Sequence, residues 1–208
     1  MIADPWLQRW LPRIAEGTGN APVLEIGCGS GADTAVLIQA GCRVVAFDLS
    51  PEAVSEARRA APAATITVQS VEQPFPLEGA GIGVVVASLS LHYFSWAQTL
   101  SVVARIQSTL RPGGLFLCRL NSTQDKNYGA VGHPEVEPGL YMVGGQAKRF
   151  FAEADVASLF HVGWRVLSCQ HVESLKYGAP KYLWEVAAER DAQPVVQPGQ
   201  GALPPRAG

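Results

Sequence analysis

Between Val23 and Gly31 the chain reads Val-Leu-Glu-Ile-Gly-Cys-Gly-Ser-Gly, a short strand-forming run that ends in glycines at every second position. From Ala32 to Ala40 apolar residues then recur at helical spacing. A strand that turns through glycines straight into a helix is a nucleotide-binding device. Missing Cβ atoms let the backbone approach a ligand, and the helix start offers free N–H groups and a positive dipole. A second apolar run, Arg43 to Phe47, closes on Asp48, 21 residues beyond Gly27. A carboxylate at that place accepts hydrogen bonds from both ribose hydroxyls of an adenosine.

The totals bound what such a device serves. With 208 residues the chain fits one domain with a full core, expected over residues 1–190. Sixteen Lys and Arg against eighteen Asp and Glu, net −2, give no basic patch of the kind that nucleic-acid binding requires. No apolar run approaches the ~20 residues of a membrane span. Met1 to Pro5 lacks the basic and apolar stretches of a signal peptide. Cys28, Cys42, Cys118 and Cys169 are scattered without a CxxC pair, and His133, His161 and His171 have no metal-ligand spacing. A cytoplasmic protein with reduced cysteines, no metal and no membrane partner is expected. From Asp191 to Gly208 proline, glycine and glutamine dominate, which predicts a disordered tail.

Along the chain, Asp4-Pro5 before Trp6, Leu7, Trp10, Leu11 and Ile14 predicts an N-capped amphipathic helix. Strands are expected at Val23–Ile26, up to Phe47, at Thr65–Gln69, Val84–Ala87 and Leu115–Leu120, the last after a break at Pro112-Gly113-Gly114. Helices are expected over Asp33–Ala40, from Ser50-Pro51 to Arg59, and over Trp96–Leu110. That alternation predicts an α/β fold, a parallel sheet with helices on both faces. Residues 121–149 are polar and glycine-rich and are expected to form a long loop or lid. A short helix over Glu153–Phe160 precedes two strands, Arg165–Glu173 and Tyr182–Glu189. The short connection between them predicts an antiparallel hairpin.

Four segments together resemble the class I S-adenosylmethionine (SAM) dependent methyltransferases. They are Glu25-Ile-Gly-Cys-Gly-Ser-Gly31, Asp48 after the second strand, Ser88-Leu-Ser-Leu-His92-Tyr93 after the fourth, and Arg111-Pro-Gly-Gly114 before the fifth. The resemblance covers residues 20–190 and implies a Rossmann-like, seven-stranded, mostly parallel sheet whose last strand inserts antiparallel. It implies SAM as cofactor and a small-molecule acceptor. Gly27, Cys28, Gly29 and Gly31 would lie under the methionine and ribose, Glu25 at the amino end, and Asp48 with Leu49 at the ribose. Ser88 would close the pocket from the fourth strand. Many members carry an aspartate after the third strand for the adenine amino group. Ser70-Val71 stands there in this chain, with Glu72 next.

His92 and Tyr93 follow the fourth strand, where ligands gather outside the carboxyl ends of a parallel sheet, and are the catalytic and substrate-binding candidates. Where an acceptor needs a base, His92 is the first candidate and Tyr93 the second. Asn121, Asp125, Lys126, Asn127 and Tyr128 face the same rim, with Asn121 and Tyr128 as substrate contacts. Two other readings compete. Gly27, Gly29 and Ala32 also fit the GxGxx(G/A) pattern of an NAD(P) oxidoreductase, and a SAM-binding module without catalysis would share the cofactor residues.

Overall fold

Seven strands share one sheet in the computed structural model, which describes residues 5–19, 21–77 and 81–192. They are β1 (Val23–Ile26), β2 (Val44–Asp48), β3 (Thr65–Val68), β4 (Ile82–Ser88), β5 (Leu110–Asn121), β9 (Trp164–Ser174) and β10 (Lys181–Arg190). Their spatial order is β3-β2-β1-β4-β5-β10-β9. Pairing is parallel from β3 through β5, and β10 then inserts antiparallel to both β5 and β9. The expected C-terminal hairpin is therefore present. The sheet is built outward in both directions from the β1–β4 pair, and a crevice opens at the carboxyl ends where the direction reverses.

Continuous apolar strands suit a sheet buried on both sides. Six of the seven residues of β4 are buried, and so is all of β1. Helices α1 (Leu11–Thr18), α2 (Ala32–Gln39) and α3 (Pro51–Ala60) cover one face through Ile14, Leu37, Val54 and Ala57. Helices α4 (Trp96–Thr109) and α5 (Glu153–Leu159) cover the other through Val102, Val103, Ile106, Val156 and Leu159. Local signals set the helix starts. The Ser50 hydroxyl accepts from Ala53 N at 3.1 Å with Pro51 in the first turn, and Ser95 with Gln98 forms a capping box on α4. No helix among the described residues is long and apolar enough to cross a membrane.

Three expectations need correction. The first helix starts at Leu11, with Pro12 in its first turn, because Trp6 and Leu7 turn inward and are buried rather than lying along a helix. Asp4, its expected cap, lies outside the described residues. The Pro112-Gly113-Gly114 segment does not break the fifth strand. It is a bulge within β5, where Ile82 pairs with Leu110 and Val84 already with Leu115. Residues 121–149 are not a long loop. They contain a separate antiparallel meander of β6 (Glu135–Glu137), β7 (Leu140–Val143) and β8 (Gln146–Arg149). The glycines there are hairpin chemistry: Gly144 and Gly145, both at positive φ, form the two-residue turn between β7 and β8. Of the expected tail, residues 193–208 lie outside the described residues.

Candidate functional site

The glycine turn is held by its neighbours on both sides. Gly27 N and Cys28 N donate to the Phe47 carbonyl at 2.8 and 3.1 Å, and the Ser90 hydroxyl donates to the Ile26 carbonyl at 2.7 Å. Gly27 sits at φ +70°, and a Cβ there would lie 2.3 Å from Ser90 Cβ. Gly29 differs. Its N–H donates to Asp48 Oδ2 at 2.9 Å, and nothing lies within 4 Å of where its Cβ would be. It faces a cavity of about 990 Å³ at the carboxyl ends of β1, β2 and β4.

Most of the sequence-derived cofactor residues line that cavity: Glu25, Gly27, Cys28, Gly29, Asp48, Leu49, Ser70, Val71 and Ser88, with Tyr93 from the acceptor group. Gly31 does not. It starts α2, and a Cβ on it would meet Ala57 Cα at 2.7 Å, so its missing side chain lets α2 and α3 approach. His92, Asn121 and Tyr128 also lie off the wall. His92 is buried in a 3-10 turn with its ring 4.1 Å from that of Tyr93, so Tyr93 is the member of the pair that meets the cavity. Burial, helped by the charges of Lys181 and Lys148, pushes the His92 imidazole down to about 3. Its Nδ1 and the Oδ1 of buried Asn121 have no hydrogen-bond partner among the described residues. The Tyr128 hydroxyl donates to the carbonyl of Tyr177, which is itself on the wall, at 2.7 Å. Asp125 turns inward to pair with buried Lys181 at 2.6 Å.

Charge is concentrated at one end. Asp48 is oriented by two backbone donors, Gly29 N on Oδ2 and Ser50 N at 3.0 Å on Oδ1, which leaves further lone pairs on both oxygens for a diol. Glu25 is buried, accepts from the Thr34 hydroxyl at 2.6 Å, and is pushed up to about 8 by burial, with the Asp33 and Asp48 charges adding to the rise. A carboxyl raised in this way from an ordinary value of 4.5 stabilises the fold fully below that value and loses the contribution as pH rises towards 8. Glu25→Gln removes the loss. Denaturant unfolding compared near pH 5.5 and near pH 8.5 will show the variant gaining on the wild type by on the order of a few kcal/mol. Parallel pH profiles for the two proteins would contradict this.

Several wall residues escaped the sequence reading: Asp33, Phe47, Ser90, Phe94, Arg119, Gln146 and Lys176. Tyr177, in the connection between the last two strands, is on the wall too. Asp33 accepts from the indole N–H of Trp6 at 3.0 Å, and the Arg119 guanidinium lies 4.7 Å from the Trp6 ring centre while its Nε donates to Ser88 Oγ at 2.9 Å. The available signal was an arginine inside an otherwise apolar strand, one residue short of its last apolar position.

Residues 23–114 match the family model described as a methyltransferase domain. An uncharacterized methyltransferase of Synechocystis is 36% identical over 94 residues, 45% of this chain and 44% of the relative. The chain thus spans less than half the length of the curated relatives it matches. Among solved structures, a SAM-dependent methyltransferase of Methanosarcina mazei superposes with a TM-score of 0.71 at 16% identity, covering 88% of this chain and 98% of that one. A 1,6-didemethyltoxoflavin-N1-methyltransferase of Burkholderia thailandensis, solved with its substrate and S-adenosylhomocysteine, gives 0.62 at 23% identity, covering 89% and 78%. At these identities the structural likeness is one of fold.

Proposed function

We propose that the chain, whose residues 23–114 match a methyltransferase domain, is a class I SAM-dependent methyltransferase that transfers a methyl group from SAM to a small-molecule acceptor by direct displacement. The observation that carries the reading is the Gly29–Asp48 pair at the wall of the cavity, a bare backbone opposed by one oriented carboxylate. Asp48 takes the ribose hydroxyls, the backbone from Gly27 to Gly29 supports the sugar and methionine, and Glu25 receives the ammonium. Leu49, Ser70 and Val71 border the adenine, and Ser88 closes the methionine end.

Charge separates this reading from the NAD(P) alternative. The cofactor end carries Glu25, Asp33 and Asp48. The Asp33 and Asp48 carboxylates beside a glycine turn oppose a pyrophosphate, and with Glu25, whose raised carboxyl ionises once a cation sits beside it, they suit a ligand with a sulfonium and an ammonium against one carboxylate. Bound there, SAM supplies a methyl group already activated as an electrophile. The protein's task is then to hold the acceptor at attack distance and keep water out, work that can contribute several kcal/mol, up to about 7–11 in the best cases.

Tyr93 and Phe94 form the acceptor side of the cavity with Tyr177, and His92 sits behind Tyr93 as its support. Methyl-labelled SAM incubated with the protein and a low-mass metabolite extract will put label into a small product, whereas a silent extract would favour the non-catalytic module. His92→Gln, which keeps a polar ring-sized group but no base, will retain turnover within about threefold. A loss of about 10²- to 10⁴-fold would instead make His92 the general base. The reading carries with it a cytoplasmic setting and no nucleic-acid partner.

A further inference from the structure

Resting on the methyl-transfer reading, we propose that Tyr128 is a positioning residue for the acceptor. Its hydroxyl holds the turn between β9 and β10, residues 175–180, and so sets Tyr177 at the acceptor wall. Tyr128 does not itself line the cavity, whereas Lys176 and Tyr177, both in that turn, do. Two of the turn's own bonds are long. Lys176 N reaches Ser174 Oγ, and Gly178 N the Leu175 carbonyl, each at 3.4 Å. Shorter bonds come from outside. The Tyr128 hydroxyl donates to the Tyr177 carbonyl at 2.7 Å, accepts from Ala179 N at 3.3 Å and lies 3.2 Å from the Ala179 carbonyl. Asn127 Nδ2 donates to the Pro180 carbonyl at 2.7 Å. One hydroxyl thus bridges both sides of Gly178, the residue at φ +91° about which the turn reverses.

The side that does the holding is fixed to the body of the protein. Tyr128 ends a 3-10 turn, Lys126–Tyr128, whose backbone is tied to Asp125: Tyr128 N and Ala130 N reach the Asp125 carbonyl at 3.2 and 3.3 Å. Asp125 is fully buried. Its Oδ2 takes the Lys181 ammonium at 2.6 Å and its Oδ1 the N–H of Tyr182 at 3.3 Å, both on β10. Gly129 packs so closely against the meander that a Cβ on it would lie 2.7 Å from Val143 Cγ2. The Lys181 ammonium lies 4.7 Å from the ring centre of Tyr128 and 5.8 Å from that of Tyr177, and the two rings meet edge to face at 6.2 Å. A buried ion pair anchors one side, a loosely self-bonded turn forms the other, and the Tyr128 hydroxyl joins them.

This joint matters for the acceptor because Tyr177 is 38% exposed while bordering the cavity with Tyr93 and Phe94. A ring that open is placed by its backbone more than by packing. Without the hydroxyl the wall residue shifts, while Glu25, Gly29 and Asp48 keep their places on β1, the glycine turn and β2. The loss falls on acceptor binding, which raises KM and leaves kcat nearly unchanged.

The test uses the full chain, methyl-labelled SAM at saturation and a dilution series of the low-mass extract. In Tyr128→Phe the extract concentration giving half-maximal labelling will rise about fivefold, the equivalent of one lost hydrogen bond, while the rate in concentrated extract and the affinity for S-adenosylhomocysteine (SAH) stay within about twofold. Tyr177→Ala will raise the half-maximal concentration too, and adding Tyr128→Phe to it will cost less than about twofold more, because the hydroxyl acts through that ring. Trypsin will cut after Lys176 about fivefold faster in Tyr128→Phe than in wild type. An unchanged half-maximal concentration, SAH affinity falling in step with it, additive losses in the double variant, or unchanged cleavage would each overturn the proposal. A silent extract with SAH bound fails the methyl-transfer reading instead, and the cleavage rates then still decide whether Tyr128 holds the turn.

Discussion

Asp48→Ala will weaken SAH binding by about 10- to 150-fold, the equivalent of about 1.5–3 kcal/mol for charge-assisted hydrogen bonds. The carboxylate acts twice. It is the proposed acceptor for the ribose hydroxyls, and it ties the turn together by taking the N–H of Gly29 and of Ser50. Alanine therefore removes the ligand's partner and loosens the backbone on which the ligand rests. Asp48→Asn separates the two effects, since one amide oxygen remains to accept while the charge is lost, and its affinity should fall between those of wild type and alanine. Calorimetry with SAH gives the affinities, and circular dichroism checks that the variants are folded. Unchanged affinity in Asp48→Ala would mean that the ribose site lies elsewhere.

Gly27→Ala will cost about 3 kcal/mol of stability, a drop of about 6–12 °C in Tm for a chain of this length. Two effects add. An L residue at φ +70° pays a left-handed penalty of about 1–2 kcal/mol. Its Cβ would also lie 2.3 Å from Ser90 Cβ, and overpacking of that kind typically costs about 1–3 kcal/mol. Ser90 has little room to withdraw, because its hydroxyl is bound to the Ile26 carbonyl one residue before the glycine. The displaced segment leads directly to His92 and Tyr93, so the acceptor wall will shift with it. Thermal unfolding reads the stability. Gly29→Ala is the comparison, since its Cβ would meet nothing within 4 Å and only the backbone penalty applies. Equal Tm losses in the two variants would contradict the packing argument.

The parts of the fold written in local chemistry were legible in the sequence. The glycine turn, the Ser50-Pro51 start of α3, the capping residues of α4 and the short connection of the last hairpin each follow from the residues that make them. Lateral order in the sheet is not local chemistry, and the seven-stranded arrangement came from resemblance alone. The 121–149 segment was misjudged for a related reason. Its glycines read as signs of a loop, but Gly144 and Gly145 are the turn of a hairpin whose four-residue strands, one apolar throughout and one mostly polar, are too short to show an alternation.

The site divides in the same way. Glu25, Gly27, Gly29 and Asp48 lie close together in sequence around one turn, so their spacing exposed them. Arg119, Gln146, Lys176 and Tyr177 come from distant strands and connections, and only the folded sheet brings them to the same wall. His92 shows the converse. A polar residue just past a strand end reads as exposed to ligand, yet Tyr93 takes that position and His92 packs beneath it.

Binding selectivity tests the central claim most directly. Wild-type protein titrated in parallel with SAH and NADH, with Asp48→Ala as the control, should bind one SAH per chain and bind NADH far more weakly, and the SAH signal should fall in the variant. Tighter binding of NADH than of SAH, or an SAH affinity indifferent to the loss of Asp48, would contradict the account.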